Sequence, residues 1–318
     1  MARIVVALGG NALVRPGQPP TWEEAVRQVR ATVGPLAELV ADGHELIVTH
    51  GNGPQVGALL RQNELAEREV PPRPMHVLVA ETQGQVGFLI SEELMAALAT
   101  RRLPRTVATV ISRVEVARRD PAFRKPTKPV GRYYTDSEAR LLRKRESWEL
   151  AYDGARGGWR RLVPSPKPVA WLEEGAVKRI LASRGEEAPI LIVGGGGGVP
   201  VVSRGRGIYE GVDAVVDKDR TAALIASRLG ADRLAIVTDV PAVAVGFRKP
   251  WERWLGEVRL DELRSHLARG EFADGSMAPK VEAAIAFVSS GGKGAVICHI
   301  PNLSRALEGG AGTRLVPD

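Results

Sequence analysis

The chain has 318 residues, 44% of them apolar, a formal net charge of +7 and one cysteine. That is enough chain to bury a large core, as one α/β domain or two smaller ones, without a disulfide or structural metal. The lone Cys298 excludes an internal disulfide and fits a reducing compartment, and scattered basic residues with few aromatics give no stacking platform or basic helix for nucleic acid.

The first apolar run, RIVVAL (3–8), predicts a strand. It stops at Gly9-Gly10-Asn11, too soon for the apolar region of a secretory signal. No stretch approaches the length of a membrane span, so a soluble, cytoplasmic protein with no membrane partner is expected. A helical pattern over 22–43 leads to a second strand, ELIVTH (45–50), and then to Gly51-Asn52-Gly53-Pro54. A long helix is expected over 75–100 and a strand over TVATVI (106–111). Residues 115–168 then break the rhythm with Pro, Arg and aromatics. An excursion of that length is rarely a plain loop, so an inserted, protruding subdomain or lid is expected.

The βα rhythm resumes with a helix over 177–185 and the strand ILIV (190–193), which runs into Gly194–Gly198. VDAVV (212–216) reads as a strand giving way to a helix over 220–230, followed by RLAIVT (233–238). Residues 245–260 read as a hairpin or irregular segment; a helix over 279–292 and AVICHI (295–300) complete the pattern. Strands apolar throughout, alternating with helices, indicate a mainly parallel sheet covered on both faces.

Three of these strands end in glycine-rich turns: Gly9-Gly10-Asn11, Gly51-Asn52-Gly53 and Gly194–Gly198. Ligands of parallel sheets sit beyond the carboxyl ends of the strands. There, backbone N–H groups and helix N-termini bind phosphate. Singly, each turn could be only a turn. GNGPQVG departs from the dinucleotide spacing, and the Walker signature is absent. Together the three point to a phosphate site.

Three lysines stand beside these turns. Lys218, between Asp217 and Asp219, lies at a helix start, where the dipole disfavours a cation unless an anion is present. The plain reading of Asp219 is a helix N-cap. Lys280 follows Pro279 at another helix start, and Lys128 lies between Pro126 and Pro129 in the excursion. The five histidines have no metal-ligand spacing, so no metal held by side chains alone is expected; His50 reads as a local hydrogen-bonding group. No nucleophile motif is present. Phosphate cradles, lysines and an aspartate suit direct phosphoryl transfer, which needs positioning and charge neutralisation.

On VALGGNAL (6–13), HGNGPQVG (50–57), PTKPVG (126–131), GWRRLVPSPKP (158–168), GGGGVPVV (195–202), VVDKD (215–219) and FADGSMAPKVEAAI (272–285), the chain resembles the carbamate kinases of the amino acid kinase family. The resemblance spans essentially the whole sequence. It implies one open α/β/α sandwich over 1–318, a protruding subdomain at 115–168, and a homodimer. It implies the reaction ATP + carbamate ⇌ ADP + carbamoyl phosphate with Mg²⁺. Carried over residue by residue, Lys128, Lys218 and Lys280 would surround the transferred phosphoryl group and Asp217 would orient them. Gly9, Gly10, Asn11, Gly51, Asn52, Gly53, Gly196 and Gly197 would hold carbamoyl phosphate. Thr238, Asp239, Phe247, Met277 and Lys280, with Lys218, would line the nucleotide site. The departures lie at Ala244 and Phe247, where the family tends to carry an aromatic and a tyrosine, so adenine packing is expected to be looser or shifted. Two rivals are a superfamily kinase acting on an amino acid or nucleoside monophosphate, and a non-catalytic nucleotide-binding regulator.

Overall fold

The computed structural model describes residues 1–10, 21–103, 105–154, 156–182, 188–273 and 275–318. In chain order its elements begin with β1 (Arg3–Leu8), α1 (Trp22–Ala41), β2 (Glu45–His50), α2 (Gly53–Ala66), α3 (Met75–Thr100), β3 (Val107–Thr109) and β4 (Arg113–Val116). The middle comprises β5 (Lys128–Tyr134), α4 (Asp136–Glu146), β6 (Leu150–Asp153), β7 (Gly158–Val163), β8 (Pro168–Trp171), α5 (Glu174–Ile180), β9 (Ile190–Ile192), β10 (Val199–Gly205) and β11 (Ile208–Gly211). Next come α6 (Lys218–Arg228), β12 (Arg233–Thr238), β13 (Ala244–Val245), β14 (Arg253–Trp254), β15 (Glu257–Arg259) and α7 (Leu260–Ala268). The described chain closes with α8 (Met277–Ser289), β16 (Gly294–His299), α9 (Leu303–Leu307) and β17 (Thr313–Val316).

Eight strands form the central sheet in the order β15-β17-β16-β12-β1-β2-β9-β3. Its pairings are parallel except β16 with β17. Side chains alternate across a strand, and β1 shows why its sequence is apolar throughout. Ile4, Val6 and Leu8 pack with Val33 and Leu36 of α1 and Ile90 and Leu94 of α3. Val5 and Ala7 pack with Ala222 and Ile225 of α6 and Val281 and Ala284 of α8. The fold is therefore the three-layer α/β/α sandwich expected of the family. Among the described residues no helix is long and apolar enough to cross a membrane.

The excursion contains a separate three-stranded sheet, β5-β7-β6, with α4 against it. Tyr134, Ala139 and Leu150 form its small core, flanked by Trp148 and Trp159. Val130 and Val163 seat it on Val56, Leu59 and Leu60 of α2. Tyr134 and Arg132 also hydrogen-bond Glu64 of α2, Arg132 at 3.1 Å. A further sheet, β11-β10-β4-β8, was not foreseen as a unit.

Some boundaries differ from expectation. VDAVV carries no strand; Val215 N instead donates to Pro164 O at 2.9 Å. α6 consequently begins at Lys218, two residues early. Only Val107–Thr109 of TVATVI pairs in the sheet.

Candidate active site

The turns after β1, β2 and β9 and the end of β12 meet at one edge of the sheet, because these four strands are neighbours and parallel. Above that edge lies a cavity of about 490 Å³. Gly9, Gly10, Gly51, Asn52, Gly53, Gly196, Lys128, Asp217, Lys218, Lys280, Thr238, Asp239, Phe247 and Met277 all line it. Gly197 does not; it sits behind the cradle, where Thr221 Oγ1 donates to its carbonyl at 2.8 Å. Asn11 lies outside the described residues.

The five-glycine run has a steric cause. Gly196 and Gly197 hold φ of 65° and 88°, the left-handed region that favours glycine. A Cβ on Gly197 would stand 2.1 Å from Val216 O, and one on Gly196 2.2 Å from Asn52 Nδ2. Buried polar groups fix the run: Thr49 Oγ1 donates to Gly194 O at 3.0 Å, and Gly194 N donates to Ser112 Oγ at 2.9 Å. Asn52 Nδ2 donates to Thr82 Oγ1 at 2.8 Å.

The lysines converge on two carboxylates. Lys128 Nζ, from β5, lies 2.9 Å from Asp217 Oδ2. Asp217 Oδ1 caps α6 by accepting from Asp219 N at 3.0 Å and Arg220 N at 3.3 Å. Asp217, not Asp219, is thus the helix cap. Asp219, 3% exposed, bridges Lys218 Nζ at 2.5 Å and Lys280 Nζ at 2.8 Å. It was missed as a site residue because either aspartate could have capped the helix. The Asp-Lys-Asp spacing was the only signal of a second role.

Electrostatics follow from this geometry. Burial acts to raise the Asp217 carboxyl, yet Lys128 beside it and Lys218 hold it well below the usual range. Asp219 is likewise held low by Lys218 and Lys280 against the effect of burial. Burial lowers the Lys218 pKa, and neighbouring Lys280 adds to that, while Asp219 opposes it. His50 is 1% exposed and lies behind the turn, its Nδ1 2.9 Å from Gly51 O. Burial brings it down to about 4, so it is neutral at pH 7.

The cavity also has an apolar part to its lining, made by Ala242, Ala244, Phe247, Trp254, Phe272 and Met277. Phe247 meets Trp254 edge-on, centroids 6.4 Å apart. Trp254 was not singled out from the sequence; it supplies an aromatic at the position where Ala244 offers none.

The described lining contains neither Cys nor His, and no cluster of three metal-ligating side chains occurs among the described residues. The arrangement can neutralise a polyanion, present backbone donors to it, and shelter a flat apolar group.

Residues 2–299 match the model of the amino acid kinase family. A carbamate kinase of Thermococcus kodakarensis is 43% identical over 319 residues, covering 99% of both chains. One of Trichomonas vaginalis is 41% identical, covering 99% of this chain and all of its own. A solved carbamate kinase from Giardia lamblia bound to AMP-PNP superposes with a TM-score of 0.91 at 36% identity, covering 100% of this chain and 99% of that one.

Proposed function

The chain belongs to the amino acid kinase family, in its carbamate kinase branch, and is a phosphotransferase; from that premise we propose that it catalyses ATP + carbamate ⇌ ADP + carbamoyl phosphate. The observation that carries this reading is the meeting of Lys128, Lys218 and Lys280 over Asp217 and Asp219 between glycine turns. That the Giardia relative binds AMP-PNP supports a nucleotide as the second ligand.

Carbamate is already an anion and a nucleophile at neutral pH, so it needs no general base. In the ATP-forming direction, the bond from phosphorus to the carbamate oxygen breaks as a bond to a β-phosphate oxygen of ADP forms. The difficulty is repulsion between anions, which fixed cations and backbone donors relieve. In this reading Lys218 and Lys280 contact the transferred phosphoryl group, and Asp219 holds both in place. Asp217 aims Lys128 at the small substrate. The amides of Gly9, Gly10, Gly51, Gly53 and Gly196, with the Asn52 segment between them, hold carbamoyl phosphate, and Gly197 keeps the turn behind them in shape. Thr238, Asp239, Phe247 and Met277 hold the nucleotide. Transfer is in line, without a phospho-enzyme; the buried carboxylates Asp217 and Asp219 are engaged by lysine ammonium groups.

The donor set fits a Mg²⁺ that arrives with the nucleotide. Mg²⁺ binds readily through one or two carboxylates and substrate phosphates, and the carboxylates Asp217 and Asp219 are already occupied by ammonium groups. Bound there, Mg²⁺ would neutralise charge on the nucleotide phosphates.

Residues 115–168 form an inserted subdomain that serves as a lid, carrying Lys128 to the site. The protein is a cytoplasmic homodimer; the exposed apolar side chains Phe88 and Met95, seven residues apart on α3, support such a face. A coupled assay of ATP formation from carbamoyl phosphate and ADP, with and without Mg²⁺, tests the reading. Turnover of an amino acid or a nucleoside monophosphate in place of carbamate would overturn it.

A further inference from the structure

Four cationic side chains line the cavity among the described residues: Lys128, Lys218, Lys280 and Arg160. The three lysines each have a carboxylate partner. Arg160 has none: no ion pair joins it to a carboxylate among the described residues, and its Nε is buried with no hydrogen-bond partner. Its side chain makes one hydrogen bond among the described residues, from Nη2 to Gly131 O at 3.2 Å. A buried donor left unpaired is costly, so a guanidinium held this way is poised for an anion from outside the chain.

The strands aim it. β7 pairs antiparallel with β5, setting Lys128 opposite Val163 and Pro129 opposite Leu162. Arg160 therefore lies on the same small sheet as Lys128, and both side chains line the cavity. The Tyr133 ring, 5.3 Å from its guanidinium carbon, supports the side chain, and Tyr133 is itself tied to Asp153 at 3.0 Å.

We propose that Arg160 is a substrate-binding residue, a second cation of the excursion sheet that takes the planar carbamoyl end of the small substrate while the lysines take the phosphoryl group. This rests on the carbamate kinase reading above. A guanidinium fork matches the two oxygens of the carbamate carboxylate, or the carbonyl and bridging oxygens of carbamoyl phosphate, in two parallel hydrogen bonds, which an ammonium cannot do.

The test compares Arg160→Ala, Arg160→Lys and Arg160→Gln with the wild-type chain. If the wild type does not turn over carbamoyl phosphate, the functional reading fails, and the assignment of Arg160 with it. If the wild type is active, the inference stands alone. Loss of a charge-assisted contact should then raise KM for carbamoyl phosphate about 10- to 100-fold in Arg160→Ala, with less than threefold change in ADP binding by calorimetry. Arg160→Lys should recover only part of the loss. Arg160→Gln can still donate to Gly131 O without the charge, so it covers the case in which the alanine variant misfolds. A near-wild-type KM in Arg160→Gln would show a merely structural role and overturn the assignment. An equal loss of ADP affinity in any folded variant would overturn it too.

Discussion

The ammonium of Lys128 lies 2.9 Å from Oδ2 of Asp217, across 89 residues of chain. The same carboxylate caps α6 through its other oxygen. One side chain thus ties the excursion sheet to the helix that presents Lys218. In Asp217→Asn the amide oxygen can still cap the helix, but the charge that holds Lys128 is gone. The variant should melt within a few degrees of wild type and lose about 10- to 100-fold in kcat/KM, the range for a hydrogen bond to a charged group. Circular dichroism and the coupled assay measure both, and full activity would remove Asp217 from the site.

Lys218→Ala and Lys280→Ala should each lose about 2–4 kcal/mol of transition-state stabilisation in kcat/KM. A loss under about tenfold would exclude that lysine from the chemistry. Asp219→Ala is a different experiment, since it strands two ammonium groups around a buried position. Breaking a buried pair costs about 3–5 kcal/mol. The double variant Asp219→Ala/Lys218→Ala should therefore be more stable to urea than Asp219→Ala alone. If the two denature alike, the bridge contributes nothing to the fold.

Lys128→Ala should lower kcat/KM for carbamoyl phosphate about 10²- to 10³-fold. ADP affinity should move by less than about threefold. Parallel losses in both would make Lys128 a nucleotide ligand.

Gly197→Ala and Gly205→Ala separate sterics from backbone preference. Both glycines have φ near 85–88°, but only Gly197 has an atom, Val216 O, 2.1 Å from the would-be Cβ. Gly205 has open space there. The strain of the left-handed region alone is worth about 1–2 kcal/mol, so Gly205→Ala should lose about that much. Gly197→Ala should lose clearly more, and activity with it, because the carbonyl it would strike precedes Asp217. Equal denaturation midpoints would contradict the close approach.

His50 makes stability depend on pH. Its folded pKa is brought down from 6.5 to about 4. Between those values the unfolded chain binds a proton that the native chain does not, so stability falls as pH drops from 6.5 towards 4. The full effect is about 3 kcal/mol. Asp217 and Asp219 act in a separate window, since carboxylates held low lose their contribution only below about pH 4. Urea midpoints across pH 4–7 should slope less in His50→Gln than in wild type; identical slopes would count against the buried neutral ring.

The central sheet was legible because its strands are buried on both sides and read as unbroken apolar runs; β1, β2 and β12 match the expected bounds. α3 also matches at both ends. The second sheet was not legible. It joins β4 to β8 and β10, segments separated by long stretches of chain, and strand partners leave no local mark. VDAVV has strand composition, yet its neighbours leave it no pairing partner. In the site, the glycine turns and three lysines could be read from position alone. Asp219 and Arg160 could not, because their significance depends on which side chains do or do not reach them.

β1 leaves the ribosome well ahead of one of its two neighbours, β12, which lies 229 residues further on. At about 5–20 residues per second, translation needs roughly 10–45 s to deliver that partner. Until then the first glycine turn projects from a sheet with an open apolar edge, and the cavity lacks the wall that carries Thr238 and Asp239. The nascent chain must spend that interval without the ligand-binding surface that could stabilise it. Its solubility during synthesis therefore depends on how well α1 and α3 can cover β1 and β2 before the other face exists.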